Sequence, residues 1–301
     1  VIAVPPRLAE FHATFGGAAG RRWIEDLPGI VERRLAAWEL TVDGPVRHGM
    51  VALVLPVVRP GGEAAVVKFQ RVDEETAGEA VALRSWAGQG AVRLLDEAPG
   101  EGTLLLERLD GGRSLADLPD AEEAVRIIAG LLARLHGCPA PPAVRRLGDV
   151  VAGMLDGVPA SVVKLAEAAD RERVRGWAAA LRDVAGEPGD RLLHWDLHFE
   201  NVLAGAREPW LAIDPKPLAG DPGFELLPAL HNRWAEIAAQ TDVDRAIRRR
   251  FDLMVEVLGL DRDRAVAWTL GRTLQNALWD IEDGETVVNP VQAAIAAAIT
   301  R

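Results

Sequence analysis

Between residues 191 and 214 the chain reads RLLHWDLHFENVLAGAREPWLAID, and this stretch restricts the fold more than any other. An apolar entry, Leu192 and Leu193, leads into His194, Asp196 and Asn201 in an H-x-D-x-x-x-x-N array. A turn from Gly205 to Pro209 follows, and a second short apolar run, Trp210 to Ile213, ends on Asp214. Short apolar runs bounded by turn residues read as buried strands. The stretch is therefore a small β insert that gathers two acids and an amide at its ends.

The segments before it divide into two styles. Residues 7–40 have helical spacing, with Leu8, Phe11, Phe15, Ile24, Leu27, Val31 and Leu35 near one face, and Pro28-Gly29 predicts a break into two helices. Residues 49–58 and 63–70 are Val- and Leu-rich around the turn Arg59-Pro60-Gly61-Gly62, which predicts a β-hairpin ending in Val66, Val67, Lys68, Phe69. A helix is predicted over 73–89, with acidic residues at its start and Gly90 at its end. Two further strands, 91–95 and 103–109, precede a break at Gly111-Gly112.

Past that break the pattern is mostly helical. Residues 121–135 put Ala124, Val125, Ile128, Leu131, Leu132 and Leu135 on one face before Gly137. A long helix is predicted over 162–184, then, beyond the β insert, helices near 224–240, 244–258, 261–280 and 291–298. The reading is an α+β protein of two lobes with a cleft between them, residues 1–109 and 110–301, the boundary lying between Glu107 and Gly112.

Composition narrows the chemistry. One cysteine, Cys138, excludes an internal disulfide framework and a Cys-rich zinc site, and reads as a plain small residue. A formal charge of -11 argues against a nucleic-acid partner and is compatible with a cationic small molecule. The apolar runs are too short to span a bilayer, and no charged, apolar, small-residue leader opens the sequence, so the expected location is cytoplasmic with no membrane partner. Basic charge is carried almost wholly by Arg; lysine occurs only at Lys68, Lys164 and Lys216.

Phosphoryl transfer needs positioned cations on the phosphates and a carboxylate to orient the attacking hydroxyl. Asp196 suits the second requirement, while the Asn201 amide oxygen and the Asp214 carboxylate suit magnesium, which takes a few oxygen ligands beside phosphate and water. Alternation of His194, Asp196 and His198 also admits a zinc or iron site of metallohydrolase type, but that would leave Asn201 and Asp214 without a role.

With those residues in view, H-W-D-L-H-F-E-N-V-L followed by I-D-P resembles the catalytic and metal-binding loops of the protein-kinase-like fold. More narrowly it resembles the aminoglycoside phosphotransferases of the streptomycin 6-kinase and hydroxyurea-kinase type. The match continues in P-K-P-L-A-G-D-P-G-F-E-L downstream and in V-V-K-F-Q and E-A-V-A-L-R-S-W upstream. The resemblance implies a small antiparallel-sheet N-lobe, a mainly helical C-lobe, and ATP with Mg2+ as cofactors. It places Lys68 on the nucleotide phosphates with Glu79 holding it, and gives the adenine hinge to Glu107 through Leu109. His194 would brace the loop, Asp196 would be the catalytic carboxylate, and Asn201 and Asp214 the metal ligands. Glu225 is expected to meet substrate amines or guanidines, and Lys216 to be a phosphate or substrate contact or a surface residue.

The glycine-rich phosphate loop of protein kinases is reduced here to Gly44-Pro-Val-Arg-His-Gly49, which leaves Arg47 and His48 as candidates there. Asp280, Glu282 and Asp283 are candidates for an acidic wall or are solvated helix ends, and Trp234, Trp268 and Trp279 read as core or as pocket lining. The expected activity is ATP-dependent phosphorylation of a hydroxyl on a streptomycin-like aminoglycoside, inactivating it. A kinase of another small metabolite (amino sugar, amino alcohol or hydroxyurea-like) and a catalytically silent nucleotide-binding regulator are the alternatives.

Overall fold

Val and Leu alternation in the N-terminal third pairs into one antiparallel sheet, as seen in the computed structural model, which describes residues 2–301. The chain forms two compact units, one running to Asp110 and the other Gly111–Arg301. The first opens with α1 (Pro6–Thr14) and α2 (Gly17–Ala37), then β1 (Thr41–Val42), β2 (Arg47–His48), β3 (Leu53–Val58) and β4 (Ala64–Phe69). Helix α3 (Glu79–Trp86), β5 (Leu94–Ala98) and β6 (Thr103–Glu107) complete it. Strand order is β1-β3-β4-β6-β5, with β2 also on β3. Along β3, Leu53, Leu55 and Val57 are buried at every second position, in a core with Leu8, Leu27, Val31 and Phe69.

The helix break at Pro28-Gly29 does not occur: α2 runs through Pro28, with Leu27 and Val31 buried on either side of it. The lost backbone donor is outweighed by that apolar face. The chain breaks instead at Gly16-Gly17, where Gly17 takes φ +58 and a Cβ on Gly20 would lie 2.5 Å from the His12 carbonyl oxygen. The predicted helix over 73–89 shortens to α3 because Asp73 Oδ1 accepts the Glu75 and Thr76 amides, both at 3.0 Å, and Thr76 Oγ1 donates to Arg71 O. Of the acidic residues Asp73, Glu74, Glu75 and Glu79, only Glu79 enters the helix's first turn. The strand predicted over 91–95 lies later, at β5, and the strand over 103–109 ends at Glu107.

Strand β7 (Asp110–Ser114) runs from the last residue of the first unit into the second and contains Gly111-Gly112 as strand rather than break. The second unit continues with α4 (Ala121–Leu135), β8 (Arg145–Arg146), α5 (Leu147–Val162), α6 (Ala168–Val184), β9 (Arg191–Leu193), β10 (Val202–Ala204), β11 (Leu211–Ala212) and β12 (Leu218–Gly220). Five helices follow: α7 (Leu227–His231), α8 (Trp234–Ala238), α9 (Val243–Leu258), α10 (Arg262–Glu282) and α11 (Pro290–Ile299). Two small sheets, β11-β10-β7 and β8-β12-β9, hold the central stretch. Helix α4 buries the face its spacing predicts and is capped by Asp120, whose Oδ1 accepts the Glu122 and Glu123 amides.

The helix predicted over 162–184 is α6 alone, and α5 ahead of it was unforeseen, because Gly148, Gly153, Gly157 and Pro159 obscure its apolar face. That face is Leu147, Val151, Met154, Val158 and Val162, all buried. The helix predicted over 224–240 is two short ones. Asn232 Oδ1 accepts the Phe199 N–H, and Arg233 turns to φ +53, its guanidinium 2.7 Å from Leu118 O. Among the described residues no helix is long and apolar enough to cross a membrane.

His231, at the end of α7, is driven down to about 4 by burial and by the Arg272 cation. It is neutral in the folded chain, whereas in the unfolded chain it takes a proton near pH 6.5, so stability is lost as pH falls through the window from about 6.5 to 4. Between pH 7.5 and 5 this group removes about 2 kcal/mol. Urea unfolding of His231→Gln at the two pH values should show a loss smaller than wild type by about that amount.

Candidate active site

Leu192 and Leu193 of β9 are fully buried and deliver His194, also fully buried, to the end of the strand. Burial pushes the His194 imidazole down against the pull of Glu225, Asp196 and Asp214, so the ring is neutral; its Nε2–H donates to Ile213 O at 2.9 Å. Three more bonds lace the loop to the strand end. Lys216 N–H donates to His194 O at 3.0 Å, Ile213 N–H to Asn201 O at 2.9 Å, and Asn201 Nδ2 to Asp196 O at 3.0 Å. The β10–β11 pairing, Val202↔Ala212 and Leu203↔Leu211, sets the register of the hairpin between them. Thus Asp196, Asn201 and Asp214 belong to one hydrogen-bonded segment.

Two residues of this segment adopt left-handed backbone, Trp195 at φ +67 and Asp214 at φ +59. For an indole-bearing residue that conformation is unfavourable. It is held by the Trp195 N–H, which donates to Glu225 Oε2 at 2.5 Å, and by a ring buried near the Arg145 and Arg272 guanidinium groups, 5.0 and 4.8 Å from its centroid. Glu225 is fully buried, and its other oxygen meets His136 Nε2. The expectation that Glu225 meets substrate amines therefore gives way: both oxygens are engaged inside the fold, and the carboxylate positions the loop.

Lys216 lies 3.3 Å from Asp196 Oδ2, both side chains partly open to solvent at 32% and 24%. His198 pairs with Glu200 at 2.8 Å. With His194 committed to Ile213 O, the imidazoles do not converge, and among the described residues no group of three His, Cys, Asp or Glu side chains is placed to hold a metal. The oxygens of Asn201 and Asp214 are a different case. Asn201 spends its Nδ2 on Asp196 O, which turns the amide oxygen the other way as a neutral ligand atom, and a carboxylate with an amide oxygen fits magnesium beside phosphates and water.

In the first unit, Lys68 at the end of β4 and Glu79 at the start of α3 form a buried pair, Nζ to the two carboxylate oxygens at 2.8 and 2.7 Å. Gln70 Nε2 adds a third donor at 2.5 Å, and its backbone N–H is held by Gly102 O. A Cβ on Gly102 would lie 2.1 Å from Gln70 O, so glycine at φ +65 is what allows that contact. Glu107 is fastened to Arg93 by N–H to O at 2.9 Å and by its own Oε2 accepting the Arg93 amide at 3.1 Å. Arg108 bonds Ala65 O, Val57 O and Asp43 at 3.1, 2.7 and 2.7 Å. Leu109 follows it, partly buried. Gln70 and Arg108 carried no local sequence signal; their partners lie 9 and up to 65 residues away.

The remaining candidates separate by burial. Arg47 and His48 are exposed on β2, Trp268 is buried in the core, Trp234 is partly buried and Trp279 is 38% exposed on α10. Asp280 is half-buried, and burial, then Glu285 and Asp283, hold its carboxyl above the usual range; Glu282 and Asp283 are exposed.

The sequence profile of the family described as aminoglycoside/hydroxyurea antibiotic resistance kinase matches residues 37–284. The chain is 54% identical over 300 residues to a streptomycin 6-kinase of Streptomyces griseus, covering 100% of this chain and 98% of that protein. It is 57% identical over 300 residues to a hydroxyurea phosphotransferase of Kitasatospora aureofaciens, covering 98% and 85%. In fold it is similar to the crystal structure of aminoglycoside phosphotransferase APH(4)-Ia, with TM-score 0.61 and 15% identity over 91% of this chain and 98% of that one. The two-lobed α+β, protein-kinase-like fold expected from the sequence is the fold found.

Removing one member of a buried ion pair strands the other. Glu79→Ala should cost about 3–5 kcal/mol in chemical denaturation, whereas the apolar pair Lys68→Met with Glu79→Leu should cost less than that single change.

Proposed function

The chain belongs to the aminoglycoside/hydroxyurea antibiotic resistance kinase family, and on that premise we propose that it transfers the γ-phosphoryl group of ATP to a hydroxyl of a streptomycin-type aminoglycoside. The observation that supports the reading is the hydrogen-bonded segment of the second unit, which carries a solvent-reachable Asp196 together with Asn201 and Asp214. In this reading Asp196 orients the acceptor hydroxyl and takes its proton as the new oxygen–phosphorus bond forms and ADP departs. Lys68, kept in place by Glu79, to which Gln70 also donates, holds nucleotide phosphates. Asn201 and Asp214 would hold magnesium, which when bound neutralises phosphate charge.

His194 acts at one remove: as a neutral donor on Ile213 O it keeps the loop and the strand end together. The segment from Glu107 through Leu109 would face the adenine, stiffened by Arg108 and Arg93. The formal charge of -11 favours a cationic acceptor, and the cytoplasm is the proposed location. A second acceptor is hydroxyurea, favoured by the 57% identity to the Kitasatospora enzyme. Both keep the same chemistry and differ only in what attacks.

Transfer of radiolabelled γ-phosphate to streptomycin and to hydroxyurea, assayed side by side, separates the two acceptors; label on neither removes the proposal. Asp196→Asn should lower kcat by about 10²–10⁴-fold with AMP-PNP affinity unchanged, and wild-type turnover in that variant would overturn the role given to Asp196.

A further inference from the structure

The chain uses lysine at three positions, 68, 164 and 216, and Arg everywhere else it needs a cation. Lys164 is exposed just past the end of α5. The other two each reach a carboxylate of the segments described above: Lys68 reaches Glu79, and Lys216 reaches Asp196 at 3.3 Å. A compact ammonium, unlike a planar guanidinium, makes a point charge with three rotatable donors.

The backbone of Lys216 is unusually well fixed. Pro215 and Pro217 flank it, restricting φ and the conformations of their neighbours, and its N–H is bonded to His194 O at 3.0 Å. Two residues earlier Asp214 takes φ +59, so the turn that presents the Asp214 carboxylate also sends the Lys216 side chain back toward the loop. Its partner Asp196 is held from the opposite side, its carbonyl accepting from Asn201 and the neighbouring Trp195 amide bound to Glu225. The ammonium and the carboxylate are thus both mounted on fixed backbone, yet both tips are partly open to solvent.

We propose that Lys216 is a catalytic residue of this reaction: its ammonium holds Asp196 toward the acceptor and neutralises the oxygens of the phosphoryl group as that group transfers. This rests on the kinase reading given above. In the step, the acceptor oxygen bonds to the γ-phosphorus while the bond from that phosphorus to the β,γ-bridging oxygen breaks. The electron pair leaves with ADP, the acceptor's proton goes to Asp196, and Lys216 stays protonated throughout. A cation fixed in advance, aimed where negative charge spreads in the transition state, lowers the barrier without reorganising at the moment of reaction. A lysine that served only as a counter-ion to Asp196 would matter for folding and not for that charge.

The test compares wild type, Lys216→Met and Lys216→Arg in steady-state turnover. Calorimetry of AMP-PNP and of ADP with aluminium fluoride, the latter a mimic of the transferring group, supplies the second readout. Lys216→Met is expected to lower kcat by about 10²–10³-fold and to weaken ADP–aluminium fluoride by a similar factor, with acceptor KM and AMP-PNP affinity changed by less than about threefold. Lys216→Arg, keeping the charge in a bulkier form, should recover about tenfold of the loss. Undiminished kcat in Lys216→Met overturns the proposal. So does an equal loss of AMP-PNP and ADP–aluminium fluoride, which marks a ground-state ligand, or a raised acceptor KM at constant kcat, which marks a substrate contact. Should the Met variant not fold, Lys216→Gln carries the same comparison. A wild type that turns over neither streptomycin nor hydroxyurea overturns the kinase reading and this inference together, whereas a competent wild type with an undiminished variant overturns this inference alone.

Discussion

A carboxylate with no access to solvent holds the central loop in a conformation its own sequence disfavours. Trp195 at φ +67 costs about 1–2 kcal/mol relative to right-handed backbone. The bond from its amide to Glu225 is charge-assisted, a class that contributes about 1.5–3 kcal/mol, enough to offset that cost. Glu225 is admitted to the interior only because His136, at the C-terminal end of α4, meets its second oxygen. It is fixed there by a capped turn: Asp221 accepts the Gly223 amide, and Phe224 packs edge-on against Trp268 of α10 at 6.0 Å. The placement of Asp196 therefore depends on helices far from it in sequence, through one buried acid.

Arginine and lysine divide the remaining cationic work. Arg108 joins three backbone or side-chain acceptors in the first unit, Arg264 ties Asp221 to Glu187, and Arg134 reaches Glu208 across 74 residues of sequence. Each is a joint where a planar fork with several donors suits fixed acceptors. Burial of the Trp195 ring beside Arg145 and Arg272 belongs to the same pattern, with guanidinium groups filling space against an aromatic surface while keeping charge.

Local signals pointed to the candidate site residues and missed the residues that support them. His194, Asp196, Asn201 and Asp214 stand within 21 residues, in a pattern whose apolar flanks announce the strands that present them. Lys68 could be picked out by an apolar strand ending in lysine in a chain rich in Arg. By contrast Glu225 read as a helix-start acid meeting substrate amines, because its partners His136 and Trp195 lie 89 and 30 residues away and leave no local trace. Pro28 misled in the opposite direction, since a rule about one hydrogen bond was overridden by the burial of its neighbours. Helix α5 has apolar spacing from Leu147 to Val162, but its glycines and Pro159 obscure that face, and packing decides the helix.

The two ion-paired lysines show why similar chemistry yields different mechanical parts. Lys68 and Glu79 are 7% and 2% exposed, and Gln70 donates to Glu79 as well, so separating the pair would leave charge in a medium that solvates it poorly. That pair is a latch, and it orders the start of α3 against the end of β4. Lys216 and Asp196 are 32% and 24% exposed, where water competes for both ions and an ion pair contributes at most about 1 kcal/mol. Its backbone, bounded by two prolines and bonded to His194, stays in place while the ammonium remains open to solvent beside Asp196. A rigid main chain that mounts an ammonium in advance, within reach of solvent and of Asp196, is what a cation meeting an incoming anion there requires.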